Sequence, residues 1–225
     1  MKLHDRVVAG FIVIFLVSIV IVLPKLVRTG DIICISQFGP CNDSISNKLE
    51  KVRGLPIGSA RKQISEVLTQ EVLVKDFSIQ LKFPRSYEIN LLERKPIFTL
   101  KVVDSNVLAL VDDEGYIVSI EEISNLPAVQ VAGAIGDVGE KVSSEQFFAL
   151  QLIDNLFTLY QVREGFIDGD KFSVNLNKST KVIFPLTGDR DVLISTLSLV
   201  FRRFEAEDTK PAEIDLRYKN PVIRE

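Results

Sequence analysis

Residues 7–23, VVAGFIVIFLVSIVIVL, contain no charged side chain and only Ser18 as a polar interruption. At about 1.5 Å per residue a helix of this length covers roughly 26 Å, and Pro24 and Leu26 extend it toward the ~30 Å hydrocarbon thickness of a bilayer. A cleaved signal peptide is the alternative. The apolar run exceeds the usual length of such a segment, however, and the residues after it, PKLVRTG, lack the small-x-small pattern of a cleavage site. The expectation is a transmembrane signal anchor over residues 7–27 behind a six-residue cytoplasmic tail, 1–6. Lys2, Arg6 and the terminal amine nearly balance Lys25 and Arg28, so charge alone orients the span weakly. The short tail and the long part behind the anchor favour translocation of the latter. The chain is thus expected in the cell (inner) membrane as a single-pass protein, N-terminus cytoplasmic and C-terminal domains extracytoplasmic.

That placement bears on Cys34 and Cys41, the only cysteines. Outside the cytoplasm a close, even pair reads as a disulfide, worth about 2.5 kcal/mol by the chain-entropy estimate for so short a loop. Two reduced thiols are the alternative. A metal site lacks ligands, since no His or further Cys stands nearby.

Chemistry is hard to find in the remainder. The only histidine, His4, precedes the apolar run, and 27 basic against 30 acidic residues give a net charge of −3 without a basic stripe. Nucleic acid is not an expected partner, nor is a small-molecule substrate. No GxSxG, SxxK, phosphate-binding loop or dinucleotide fingerprint occurs. The acidic run Asp112, Asp113, Glu114 lacks the glycine and distal glutamate of a calcium loop and sits where a hairpin turn is wanted. The chain is expected not to be an enzyme and to need no cofactor or metal.

Periodicity divides the rest into two α+β domains. Asp31 to Ser36 is short and β-branched, as a buried strand would be. Ile45, Leu49 and Val52 mark a helix capped by Asp43 or Ser44 and ended by Gly54; Ala60, Ile64, Val67 and Leu68 mark a second, capped by Ser59. Phe77, Ile79, Leu81 and Phe83 then alternate with polar residues, and Tyr87, Ile89 and Leu91 alternate back across Pro84-Arg85-Ser86. This β-α-α-β-β unit is expected over residues 29–96. From 97 to 225 a mainly antiparallel β-domain with two helices is expected. Its strands are Ile97 to Val103, Val107 to Val111, Gly115 to Ile120, Phe172 to Leu176, Thr180 to Phe184 and Ala212 to Tyr218. One helix opens on a capping box, Ser143 to Gln146. The other runs from Asp189 to Glu205 and buries Val192, Leu193, Leu197 and Val200.

In this order, several strings resemble the FtsQ/DivIB family of bacterial cell-division proteins, in which a POTRA domain follows the span: VRGLPIG (52–58), LLERKPIF (91–98), LALVDDEGYIV (108–118), Leu126-Pro127 and EIDLRYKNPVIR (213–224). Pro221 departs from that pattern, which usually has a small residue there. The resemblance implies a POTRA-like domain followed by an FtsQ-type β-domain. It also implies a membrane-anchored septal scaffold of the divisome, which binds division proteins of the FtsB/DivIC and FtsL type and links them to septal peptidoglycan synthesis. Binding would be by strand addition at the last strand, taken as a sheet edge, with Ile214, Asp215, Leu216, Arg217, Tyr218 and Asn220 as the partner-binding residues. The alternative function is a POTRA-bearing periplasmic transport or secretion component acting as a polypeptide-binding module.

Overall fold

A computed structural model describes residues 26–103, 105–176, 179–207 and 209–224. The expected span over residues 7–27 lies, apart from its last two residues, outside the described residues, among which no helix is long and apolar enough to cross a membrane. The fold is α+β, with four helices among the described residues and two sheets rich in antiparallel pairing. It divides into two compact units between Arg94 and Lys95, two residues before the expected boundary at 96/97.

The first unit runs β1 (Ile32–Ser36), β2 (Gly39–Pro40), α1 (Asp43–Glu50), α2 (Ile57–Thr69), β3 (Val74–Lys82) and β4 (Ser86–Glu93), with sheet order β2-β1-β4-β3. β1 lies parallel to β4, pairing Ile32 with Tyr87 and Cys34 with Ile89, while β3 and β4 form the antiparallel hairpin that alternation predicts. The helices cover one face. Ile45, Leu49, Ile64 and Leu68 from them meet Tyr87, Ile89 and Leu91 from β4 in one buried cluster. The Tyr87 hydroxyl donates to the Ile57 carbonyl at 2.8 Å, and burial raises its pKa against the opposing charge of Arg61.

Three local expectations are corrected. β1 is not buried on both faces: Ile33 and Ile35 alternate outward, 50% and 44% exposed, because among the described residues no helix packs on that side. The first helix is capped by Asn42, whose side chain accepts from Ile45 N–H, not by Asp43 or Ser44. The second begins at Ile57 after Pro56, which leaves Ser59 inside its first turn.

The second unit contains β5 (Phe98–Val102), β6 (Leu108–Val111), β7 (Ile117–Glu121), β8 (Ala128–Val131), α3 (Ser144–Tyr160), β9 (Glu164–Asp168), β10 (Lys171–Leu176), β11 (Thr180–Pro185), α4 (Arg190–Ala206), β12 (Glu213–Asp215) and β13 (Val222–Arg224). They make one sheet of order β13-β12-β11-β10-β9-β8-β5-β6-β7. Most neighbours are antiparallel; β5–β8, β8–β9 and β11–β12 are parallel. α3 packs on the middle of the sheet, burying Ala149, Leu150, Leu152, Ile153 and Leu156 against Leu100, Val129, Phe172 and Phe184. Its capping box is intact: Gln146 N–H donates to Ser143 Oγ at 3.2 Å and Ser143 N–H to Gln146 Oε1 at 3.0 Å. α4, capped by Asp189, is a correction. It buries Leu197 fully but leaves Val192 59% exposed, with Leu193 and Val200 half-buried, because it packs at the margin of the core.

Two glycines are required by close approach. Gly115 has φ +85° at the β6–β7 turn, and a Cβ there would stand 3.1 Å from the Phe147 ring of α3. At Gly165 a Cβ would fall 2.3 Å from the ring of Phe172. In the acidic turn buried Asp112 accepts N–H bonds from Glu114 at 2.9 Å and Tyr116 at 2.8 Å through Oδ1.

Candidate functional site

The residues expected to bind a partner lie where the chain makes its last pass across the second sheet. Ile214 is fully buried and Leu216 is 4% exposed, and both belong to the core. The strand expected over Ala212 to Tyr218 is shorter and is not an edge. β12 ends at Asp215, with β11 on one side and β13 on the other. The chain turns at residues 216–221 and comes back as β13, pairing Val222 with Asp215, Ile223 with Ile214 and Arg224 with Glu213. Pro221 precedes that return strand, where a missing N–H costs no ladder bond.

Asp215 and Arg217 organise the turn. Arg217 Nε donates to both carboxylate oxygens, at 3.1 and 3.2 Å, Nη2 to Oδ2 at 2.8 Å, and the backbone N–H of Arg217 to Oδ1 at 3.0 Å. The guanidinium holds Asp215 below the usual carboxylate range against the opposing effect of burial, and is itself held fully protonated by that carboxylate. Nε and Nη2 are thus turned toward Asp215 and shape the turn, while Nη1 lies 3.8 Å from Asp170 Oδ1. Beside it Tyr218 is 59% exposed, with the guanidinium 5.8 Å from its ring centre, and Asn220 is exposed.

The outward-facing element is β13, which sequence reasoning missed. Three residues after a proline are too few for a periodicity signal. Its residues Val222, Ile223 and Arg224 are exposed, and among the described residues no strand lies beyond it. The Arg224 carbonyl turns inward, accepting Ala212 N–H at 2.9 Å. Alternate residues of an antiparallel strand point their backbone groups to opposite sides, so Ile223 presents its N–H and C=O on the open side. Arg224 also pairs with Glu213 at 2.5 Å, which ties the strand to β12.

An open cleft of about 790 Å³ adjoins the turn, lined among others by Ser143, Glu145, Asp170 and Arg217. Hydrogen bonding from its own backbone N–H and the Ser143 hydroxyl holds Glu145 below the usual carboxylate range. No group of three or more His, Cys, Asp or Glu among the described residues could hold a metal ion. In the first unit Cys34 and Cys41 are joined as a disulfide with Cα atoms 5.5 Å apart. Comparison with protein-family models gives no match, and neither does comparison with curated proteins.

Proposed function

We propose that this chain is a membrane-anchored septal scaffold of the FtsQ/DivIB kind. Residues 7–27 would anchor it, a POTRA-like domain would follow, and an FtsQ-type β-domain would capture division proteins of the FtsB/DivIC and FtsL type and link them to septal peptidoglycan synthesis. Its work is binding and not turnover. The observation that carries the proposal is the bare β13 edge. Exposed Val222 and Ile223 and the outward backbone pair of Ile223 offer a short template for an added strand, with Tyr218 beside it as an aromatic rim. Support also comes from the order of family-like strings, of which EIDLRYKNPVIR coincides with β12, the turn and β13.

A fluorescent fusion of the full chain in dividing cells tests the proposal. A mid-cell band that sharpens at constriction is expected, with filamentation on depletion. Even distribution round the envelope together with normal septation would overturn it.

A further inference from the structure

The described chain begins just beyond the apolar run, and its first residues are strapped into the first unit from two sides. Ile57 N–H donates to the Val27 carbonyl at 3.1 Å, Thr29 N–H to Leu55 at 2.8 Å and Gly54 N–H to Thr29 at 2.9 Å. On the other side Gly30 N–H donates to the Arg85 carbonyl at 2.8 Å. The β3–β4 turn therefore lies against the strap. The Arg85 side chain runs over Gly30, with Cγ 3.2 Å from where a Cβ would stand.

What this end of the unit exposes is unusual for a surface that meets only water. Phe83, two residues from Arg85, is 93% exposed; Leu81 is 48% and Leu26 69% exposed. Among them stand three exposed arginines. Arg28 lies on the strap and donates to the Gly54 carbonyl, Arg85 is at the turn, and Arg61 is near enough to Tyr87 to act on its hydroxyl. Among the described residues none of the three forms an ion pair, whereas Lys48, Arg53, Lys62 and Lys82 of the same unit do. An unburied aromatic ring beside unneutralised guanidinium groups matches the chemistry of a bilayer interface, where rings seat at headgroup level and cations meet lipid phosphates.

We propose that this end of the first unit rests on an anionic bilayer surface, with Phe83 seated in the interfacial layer and Arg28, Arg61 and Arg85 on lipid phosphates. The proposal rests on the anchor reading of residues 7–27. Gly30 is seven residues beyond Leu23, at most about 25 Å of extended chain, and the turn carrying Phe83 is bonded to Gly30. The anchor thus delivers the aromatic tip to the membrane it crosses and cannot carry it far away. The unit would be held down at this end, leaving its other surfaces for partners.

The chain contains no tryptophan, so Phe83→Trp introduces its sole indole at the tip. The full chain carrying it is reconstituted in phosphatidylcholine vesicles with or without phosphatidylglycerol, then quenched by headgroup-level nitroxide lipid or by aqueous acrylamide. Ile123→Trp, at a position 83% exposed in the second unit, serves as the water-exposed reference. With phosphatidylglycerol the tip indole is quenched by the lipid, and acrylamide reaches it at least about fivefold less than the reference. Arg28→Gln combined with Arg85→Gln, or omission of phosphatidylglycerol, shifts it back toward the reference. A tip indole as open to acrylamide as the reference, in chains that float with the vesicles, overturns the proposal and leaves the anchor reading standing. Chains that do not float with the vesicles overturn the anchor reading, and this proposal with it.

Discussion

The two ends of the nine-stranded sheet are finished differently. At the β7 end the segment leading to α3 folds back along the strand. Ile117 N–H donates to the Glu140 carbonyl at 2.9 Å, Gly139 N–H to Ile117 at 2.8 Å and Val142 N–H to Gly115 at 3.0 Å. Lys141 lies over the Tyr116 ring, 4.5 Å from its centre, and the far end of the strand carries Glu121 followed by Glu122. Short cover and like charges are common ways of blunting an edge against unwanted pairing. Among the described residues no segment covers the β13 end, whose three residues follow Pro221 and include one charge, Arg224. Its three residues are exposed, two of them apolar, and one presents its backbone pair outward. An uncovered edge is a liability in isolation, so the contrast teaches that the second edge is the one to test for a partner.

The largest effect is expected where both edges share a foundation. Phe172 is fully buried mid-sheet and stacks with Phe184 at 6.1 Å between ring centres. Phe172→Ala should cost about 3–5 kcal/mol in urea unfolding and abolish the contrast by loosening the whole sheet. Removing the staple at the start of the first unit, Cys34→Ser with Cys41→Ser, should cost about 2.5 kcal/mol in the same assay. Non-reducing mass spectrometry of alkylated protein from the envelope should find neither thiol labelled in the wild type.

Cover at the β7 end depends on where α3 begins. Ser143→Ala breaks the capping box and should cost about 1 kcal/mol. Amide exchange should then quicken at Ile117 and Gly139 while that of β12 stays unchanged. The smallest change is read as a pH trend at the β13 end. A carboxyl whose folded pKa is depressed, as that of Asp215 is by Arg217, adds stability that is fully present above the unfolded value near 3.9. That stability is lost as pH falls through the folded value. Wild type and Asp215→Asn should therefore differ most in urea midpoint at neutral pH and converge below about pH 4.

What was legible in the sequence was what short-range chemistry decides. The Ser143 to Gln146 box is complete within four residues, and the alternation of Tyr87, Ile89 and Leu91 needs only a strand with one covered face. The sequence places the helix starts one to three residues late, because Asn42 and Pro56 compete with equally plausible neighbours. β8 and β9 are not signalled by alternation: β8 is four residues long and joins the sheet through parallel pairing with β5 and β9, far off in sequence, and β9 is a five-residue strand interrupted by Gly165 that pairs with β8 and, as a hairpin, with β10. The same limit decided the candidate site. Ile214 and Leu216 mark a strand, but whether it is an edge turns on three residues after Pro221, and Arg217, expected among the partner-binding residues, is engaged by the neighbouring Asp215.

Whether a partner strand adds to β13 through the backbone is read from capture of division proteins of the FtsB/DivIC and FtsL type by the full chain in mild detergent. Three variants, each verified as folded by circular dichroism, are compared with wild type. Ile223→Pro removes an outward donor while leaving the inward pairing of Val222 and Arg224 in place, and should weaken capture roughly tenfold or more. Ile223→Ala keeps the N–H and should retain most of it, and Ile120→Glu, on the opposite edge strand, should leave it unchanged. Capture at wild-type strength by folded Ile223→Pro would contradict the claim and remove β13 as the binding edge.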